Sequence, residues 1–155
     1  MTTIAIRDGV VAYDTRATIN DVMCPDEVDK AWISARHKVI FFGAGDGANV
    51  RAMVQALEKR RALPWARASR WKADDLPPLN GSPFGALSRG GRLYMIEDFG
   101  WTESTGRFWA FGTGAPAALG AMHMGASARR AVEIAIRCDP HSGAPVRILR
   151  LAEIV

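Results

Sequence analysis

Cysteines, metal-binding spacings and long apolar runs are all scarce in this chain of 155 residues, and each scarcity excludes a class of protein. The two cysteines, Cys24 and Cys138, are too few for a disulfide framework, and no Cys-x-x-Cys or His-x-x-x-His spacing suggests a metal site. No apolar run reaches the roughly 18 residues of a membrane span. The opening strand also lacks the basic start and cleavage site of a signal peptide. We therefore expect a cytoplasmic protein with no metal, no cofactor and no membrane partner.

The formal charge of +4 comes from basic residues that are scattered along the chain. Some of them, such as those at 59–61, lie near a predicted helix C-terminus, where positive charge complements the helix dipole. Scattered charge gives no continuous basic surface, so we expect no nucleic-acid partner. The length and the 48% apolar content fit one globular domain, residues 1–155, with a substantial core.

Turn residues divide the first half of the chain into recognisable elements. Asp8-Gly9 separates two alternating apolar stretches, 3–7 and 10–14, which predicts a β-hairpin. The apolar run 38–43 is typical of a buried strand, and a helix is predicted from Asp46 or Gly47 to about Arg61. Between these elements the segment 19–26 is polar and variable. In the segment 27–36, the residues expected to face inward are Val28, Ala31 and Trp32.

The second half begins with an irregular stretch, 64–83, rich in proline and tryptophan, with at most one short helix. Beyond it, the pattern predicts strands at 85–88, 92–97, 107–111 and 145–151, and helices at 116–124 and 127–137. Helices grouped between antiparallel strands indicate an α+β fold, with the helices on the outer faces of stacked sheets.

Three glycine-containing turns could carry chemistry, although each is also an ordinary turn composition. Gly43-Ala44-Gly45-Asp46-Gly47 joins the buried strand to a helix, where outward-facing amides can bind an anion. It lacks the first strand-helix unit and the later acidic residue of a dinucleotide fingerprint. Gly112-Thr113-Gly114 joins another strand to a helix, and Asp139-Pro-His-Ser142-Gly143 follows a helix.

The start of the chain offers a further candidate, Thr2. If Met1 is removed, Thr2 carries a hydroxyl and a free α-amine, which supply a nucleophile and a base in one residue. The alternative is that Met-Thr-Thr is an ordinary start of translation. The other candidate positions decide between these interpretations.

Together these positions resemble the proteasome β-subunit family of N-terminal-nucleophile hydrolases, in particular HslV-type peptidases and short bacterial or phage-type relatives. The segment 12–18, Ala-Tyr-Asp-Thr-Arg-Ala-Thr, resembles the family's Ala-Asp-Ser/Thr-Arg-x-Thr. Val28-Asp29-Lys30 precedes the strand at 38 with the family's spacing, and the three glycine-containing turns fall in register. The resemblance covers nearly the whole chain and implies a four-layer αββα sandwich with two antiparallel sheets between helix layers.

The resemblance also implies a role for each matching residue. Thr2 is the nucleophile, Lys30 held by Asp14 lowers the pKa of its amine, and the Gly45 amide faces the oxyanion. The implied catalytic set is Thr2, Asp14, Lys30, Gly45, Thr113, Asp139 and Ser142. The implied substrate-binding set is Thr18, Ala17, Val28 and Gly43, with no metal.

Two departures from the family pattern keep other functions open. Thr113 stands where the family has serine, and residues 62–84 are shorter than the family's second long helix. The resemblance implies a threonine endopeptidase that acts on peptides or unfolded proteins, in a homo-oligomeric ring with a candidate AAA+ ATPase partner. The alternatives are a proteasome-like ring or scaffold component with little peptidase activity, and an amidase acting on a small molecule.

Overall fold

The chain is an α+β fold with three α-helices and three antiparallel sheets within residues 2–66 and 72–155, which are the residues that the computed structural model describes. The predicted α+β class is confirmed. The strands are β1 (Ile4–Arg7), β2 (Val10–Asp14), β3 (Thr18–Ile19), β4 (Val22–Met23), β5 (Ala31–Ser34), β6 (Val39–Gly43), β7 (Phe84–Ser88), β8 (Leu93–Glu97), β9 (Gly100–Ser104), β10 (Phe108–Phe111) and β11 (Val146–Arg150). The helices are α1 (Gly47–Lys59), α2 (Ala115–His123) and α3 (Ala128–Cys138).

The first sheet has the strand order β10-β1-β2-β11 and carries the start of the chain at its centre. β1 and β2 form the predicted hairpin, with Ile4 opposite Tyr13 and Arg7 opposite Val10. Its turn residues, Asp8 and Gly9, have φ values of 51° and 73°. Both values are positive, as a tight two-residue hairpin turn requires.

The second sheet has the order β5-β6-β7-β8-β9. The predicted strands at 38–43, 85–88 and 92–97 correspond to β6, β7 and β8. β9 was not predicted, because none of its residues is buried and the segment therefore lacks the apolar alternation of a half-buried strand. β9 lies at the edge of the sheet and pairs with β8 alone among the described strands.

A small hairpin, β3–β4, occupies the segment expected to be polar and irregular. Its turn residues, Asn20 and Asp21, both have positive φ. Three apolar side chains of this hairpin are largely exposed: Ile19, Val22 and Met23.

The three helices begin where their sequence signals predict. The Asp46 carboxylate accepts hydrogen bonds from the backbone N–H groups of Ala48 and Asn49, and the Ser127 hydroxyl accepts one from Arg130. α1 ends at Lys59, two residues earlier than expected. The irregular stretch at 64–83 contains a short 3₁₀ helix, Ala73–Asp75, and its residues 67–71 lie outside the described part.

Three apolar clusters hold these elements together. One contains side chains of both large sheets, such as Ile4 and Ile6 from the first sheet with Ile40 and Phe42 from the second. A second joins the other face of the second sheet to α1, and a third joins the first sheet to α2 and α3. Within the described residues, no helix is long and apolar enough to cross a membrane.

Candidate active site

A buried ion pair between Asp14 and Lys30 lies at the centre of the predicted site. Asp14 ends β2, and Lys30 directly precedes β5. The Lys30 Nζ lies 2.7 Å from Asp14 Oδ1 and also donates to the carbonyl of Arg16 at 2.7 Å. The side chains of Lys30 and Asp14 are only 7% and 0% exposed. Burial lowers the pKa of Lys30 below that of an ordinary lysine, and the Asp14 carboxylate opposes this shift by stabilising the charged form.

The Asp14 carboxylate also ties three segments of backbone together. Its Oδ1 accepts a hydrogen bond from the Thr3 N–H at 2.8 Å, and its Oδ2 accepts one from the Gly143 N–H at 3.0 Å and one from the Arg16 N–H at 3.2 Å. Each of these hydrogen bonds stabilises the negative charge of the Asp14 carboxylate, which would otherwise be costly to bury. The same carboxylate therefore orients Lys30, the start of the chain and the loop after α3.

Thr2 lies just before β1 and is 4% exposed. Its carbonyl accepts a hydrogen bond from the Gly114 N–H at 3.4 Å. A Cβ at Gly112, where φ is +92°, would overlap this carbonyl, so only glycine allows the approach.

Thr2 lines a cavity of about 270 Å³, which we call the Thr2 cavity. Lys30 and Gly45 line the same cavity. All four predicted substrate-binding residues also line it: Ala17, Thr18, Val28 and Gly43.

The backbone amides of the turn after β6 differ in whether the described part of the chain offers them an acceptor. The Gly43 N–H donates to Lys30 O at 3.0 Å, and the Ala44 N–H donates to Pro83 O at 2.9 Å. The Gly45 N–H has no acceptor among the described residues. Gly45 has φ +90°, and a Cβ there would lie 2.8 Å from Ser82 Oγ. A backbone amide without an acceptor, in a cavity that a threonine also lines, is suited to bind an anion or a developing oxyanion.

Asp139, Ser142 and Thr113 form a second hydrogen-bonded group. The hydroxyls of Ser142 and Thr113 each donate to Asp139 Oδ2 at 2.6 Å, and the His141 N–H donates to Oδ1 at 3.1 Å. Burial by itself raises the pKa of Asp139, but these hydrogen bonds outweigh it, so the pKa lies below that of an ordinary aspartate. The threonine at 113 therefore makes the hydroxyl contact with Asp139 despite its extra methyl group.

Thr3 joins the second group to the start of the chain, and the sequence reasoning missed it. Its Oγ1 lies 2.7 Å from Ser142 Oγ, and its side chain is fully buried. A Cβ at Gly114 would overlap Thr3 Oγ1, so the glycine leaves room for this contact. The sequence did contain a signal for Thr3. Consecutive side chains of an extended chain point to opposite faces, so the neighbouring residues Thr2 and Thr3 can contact different parts of the site. The structure thus brings all the predicted site residues into two groups linked through Asp14 and Thr3.

No protein-family model matches the sequence, and no curated protein matches it. Among solved structures, the chain is similar to BPH from Thiobacillus denitrificans, with a TM-score of 0.67, 19% sequence identity and 98% of each chain covered. The same protein in complex with epoxomicin gives a TM-score of 0.68 at 19% identity, covering 97% of this chain and 98% of that one. An Anbu (Gly-1) mutant from Hyphomicrobium sp. strain MC1 gives 0.68 at 15% identity, covering 97% of this chain and 81% of that one. At these identities the likeness concerns the fold, which the chain shares with BPH and Anbu over nearly its whole length.

Proposed function

We propose that this protein is a threonine peptidase that uses the N-terminal Thr2, exposed by removal of Met1, as its nucleophile. One observation carries the proposal: Thr2, the buried Lys30 and the unused Gly45 amide line the same cavity. A lysine buried against an aspartate contributes little to the stability of a fold, because desolvation offsets the attraction between the charges. Such a pair is better explained by chemistry.

The proposed reaction starts when Thr2 Oγ attacks the carbonyl carbon of a peptide bond. The hydroxyl proton passes to the α-amine of Thr2. The positive charge of Lys30 lowers the pKa of this amine, so the amine is neutral and can accept the proton. The Gly45 N–H stabilises the oxyanion, an interaction whose removal costs about 3 kcal/mol in comparable enzymes. The C–N bond then breaks, the leaving amine takes the proton, and water hydrolyses the ester at Thr2.

The second hydrogen-bonded group also acts on the α-amine of Thr2. Asp139, Ser142 and Thr113 orient the α-amine and its water, and Thr3 links this group to the backbone of the nucleophile. Ala17, Thr18, Val28 and Gly43 accommodate the acyl part of the substrate in the Thr2 cavity.

The proposal also covers the layer arrangement of the fold and the assembly of the protein. We infer that the three apolar clusters correspond to the interfaces of a four-layer αββα sandwich. We also infer a cytoplasmic homo-oligomer that cleaves peptides or unfolded proteins and works with an AAA+ ATPase. Two findings support an assembly: the fold of the similar proteins and the exposed apolar side chains of the β3–β4 hairpin.

The test is covalent labelling of protein that begins at Thr2, released from a cleavable N-terminal fusion. Epoxomicin is a suitable probe, because the BPH with the same fold has been solved in complex with it. Intact-mass measurement should show one added inhibitor on the processed protein and on its Thr2→Ser variant. The Thr2→Ala variant and the form that retains Met1 should remain unmodified.

The main alternative is a proteasome-like scaffold without peptidase activity. A processed, folded sample that takes up no inhibitor and cleaves no peptide would favour it. Labelling of Thr2→Ala at the same rate as the processed protein would instead disprove the role of Thr2.

A further inference from the structure

A second cavity, of about 660 Å³, lies beside the proposed site and is used by none of the proposed steps. We call it the edge groove, because β9 and β10, each an edge strand of one of the two large sheets, both line it. Its volume lies within the roughly 300–1,000 Å³ typical of ligand pockets. Apolar side chains contributed by both sheets line the groove: Met95, Trp109 and Phe111.

The edge groove shares walls with the segments that hold Thr2 and Gly45. Ser82 and Pro83 line the groove, and the Ser82 hydroxyl accepts a hydrogen bond from the Asp46 N–H at 3.1 Å. The Pro83 carbonyl accepts a hydrogen bond from the Ala44 N–H, so this wall of the groove supports the turn that contains Gly45. Phe111, on the other wall, directly precedes the glycine that packs on the Thr2 carbonyl. The groove and the Thr2 cavity therefore flank the same turn.

The rim of the edge groove is acidic, although the chain carries a net charge of +4. Glu97 and Asp98 line it, and the Asp98 carboxylate accepts a hydrogen bond from the Leu79 N–H. Glu103 also borders the groove, but it lies opposite Tyr94 on the other face of the sheet and forms an ion pair with Arg92 at 3.7 Å. Among the described residues, Glu97 has no ion-pair partner. Such a rim attracts a cationic ligand.

The two bordering strands can also bind an extended chain through their backbones. β10 pairs with β1 alone and β9 with β8 alone among the described strands. Each therefore has a second edge whose N–H and C=O groups are available to another strand. Peptides commonly bind by adding a strand to such an edge, with pockets selecting their side chains.

We propose that the edge groove binds the leaving-group side of a peptide substrate and favours basic residues there. This inference rests on the proposed function, in which the Thr2 cavity holds the acyl side. The scissile bond then crosses Thr2, and the chain beyond it enters the groove between the free sheet edges. The carboxylates of Glu97 and Asp98 attract its positive charges, while the aromatic floor packs against its apolar parts.

Quenched fluorescent peptides with one common acyl side test the preference directly. One series carries arginine or lysine in the three positions after the scissile bond, and the other carries glutamate. We expect roughly five- to tenfold higher kcat/KM for the basic series at low salt, since solvent-exposed ion pairs are individually weak and only a few can form in the groove. The preference should shrink as added salt screens the charges. The combined variant Glu97→Gln, Asp98→Asn should lose it.

Two further measurements separate failure of the groove from failure of the proposed chemistry. An acyl-aminocoumarin substrate leaves the groove empty, so the combined variant should hydrolyse it at the wild-type rate. The matched control, Asp8→Asn, Glu58→Gln, removes two carboxylates elsewhere and should keep the basic preference. Equal cleavage of both peptide series, with coumarin release intact, would overturn the groove proposal and leave the peptidase standing.

Binding to the Thr2→Ala variant gives a readout that needs no turnover. A fluorescent basic peptide should bind this variant more tightly than its acidic counterpart, and the two groove substitutions should remove the difference. Equal binding of both peptides would overturn the inference even if peptides are cleaved elsewhere in the site. Absence of both coumarin release and epoxomicin labelling would overturn the proposed function, and this inference with it.

Discussion

Lys30 is the residue at which the energetics of the fold and of the proposed chemistry oppose each other. Burial favours its neutral form, whereas its proposed role beside the Thr2 amine requires the cation. Asp14, at 2.7 Å, keeps the charge in place. Removing Lys30 leaves Asp14 buried without its counter-ion, so the Lys30→Ala variant should lose stability as well as activity.

The pH dependence of peptidase activity should reveal this lowered pKa. As the pH rises, Lys30 loses its proton below the ordinary lysine pKa of 10.5, and kcat/KM should fall with it. Stability should change in the opposite direction, because over this range the unfolded state binds more protons than the native state. Activity profiles and urea midpoints measured on the same samples therefore distinguish loss of the charge from unfolding.

A Lys30→Arg variant supplies the control for this pH profile. A guanidinium remains charged throughout the accessible pH range, so the variant should lose the alkaline decline even though its rate is lower. An alkaline decline at the same pH in the variant and the wild type would assign it to another group.

At the scale of elements, the site depends on contacts between segments far apart in the sequence. Ser142, in the loop after α3, contacts Thr3 at the start of the chain and Asp139 at the end of α3. The Ser142→Ala variant removes a buried donor to a carboxylate. We expect it to lower the free energy of unfolding at neutral pH by about 1.5–3 kcal/mol.

The sign of the pH effect on the Ser142→Ala variant follows from the lowered pKa of Asp139. The stabilisation from this carboxylate is complete above its unfolded value, near 3.8, and is lost as the pH falls through the lower native pKa. The difference in free energy of unfolding between the wild type and the variant, measured by urea titration, should therefore become smaller below pH 4. A double-mutant cycle with Asp139→Asn isolates the pair, and zero coupling energy would contradict the prediction.

The sequence predicted the elements that depend on local signals better than those that depend on pairing. Asp8-Gly9 and the Ser127 cap determine their turn and helix within a few residues, and both were correctly assigned. β9 forms because β8 offers it an edge, a contact that no local pattern contains. Thr3 was missed for a similar reason, since its partner Ser142 lies 139 residues away.

At the scale of the whole molecule, the site lies where separate apolar clusters meet. β1, which follows Thr2, contributes Ile4 and Ile6 to the cluster shared by the two large sheets, and Ala5 to the cluster under α2 and α3. The sequence predicted this stacking only as a general arrangement, because it shows which residues are apolar but not which faces meet. The position of Thr2 therefore depends on both clusters.

Substitution of Phe42 tests whether the two large sheets share one core, as the four-layer arrangement requires. Its ring is 1% exposed and stacks on Phe111 of the other sheet with 5.3 Å between ring centroids. The Phe42→Ala variant should lose about 3–5 kcal/mol of unfolding free energy, because burial is lost and a cavity remains. The control is Phe99→Ala, at a side chain 95% exposed, which should change stability by less than about 0.5 kcal/mol. Similar urea midpoints for the two variants would mean that the sheets do not pack through Phe42, whereas a large loss for Phe42→Ala alone supports a shared core beneath Thr2.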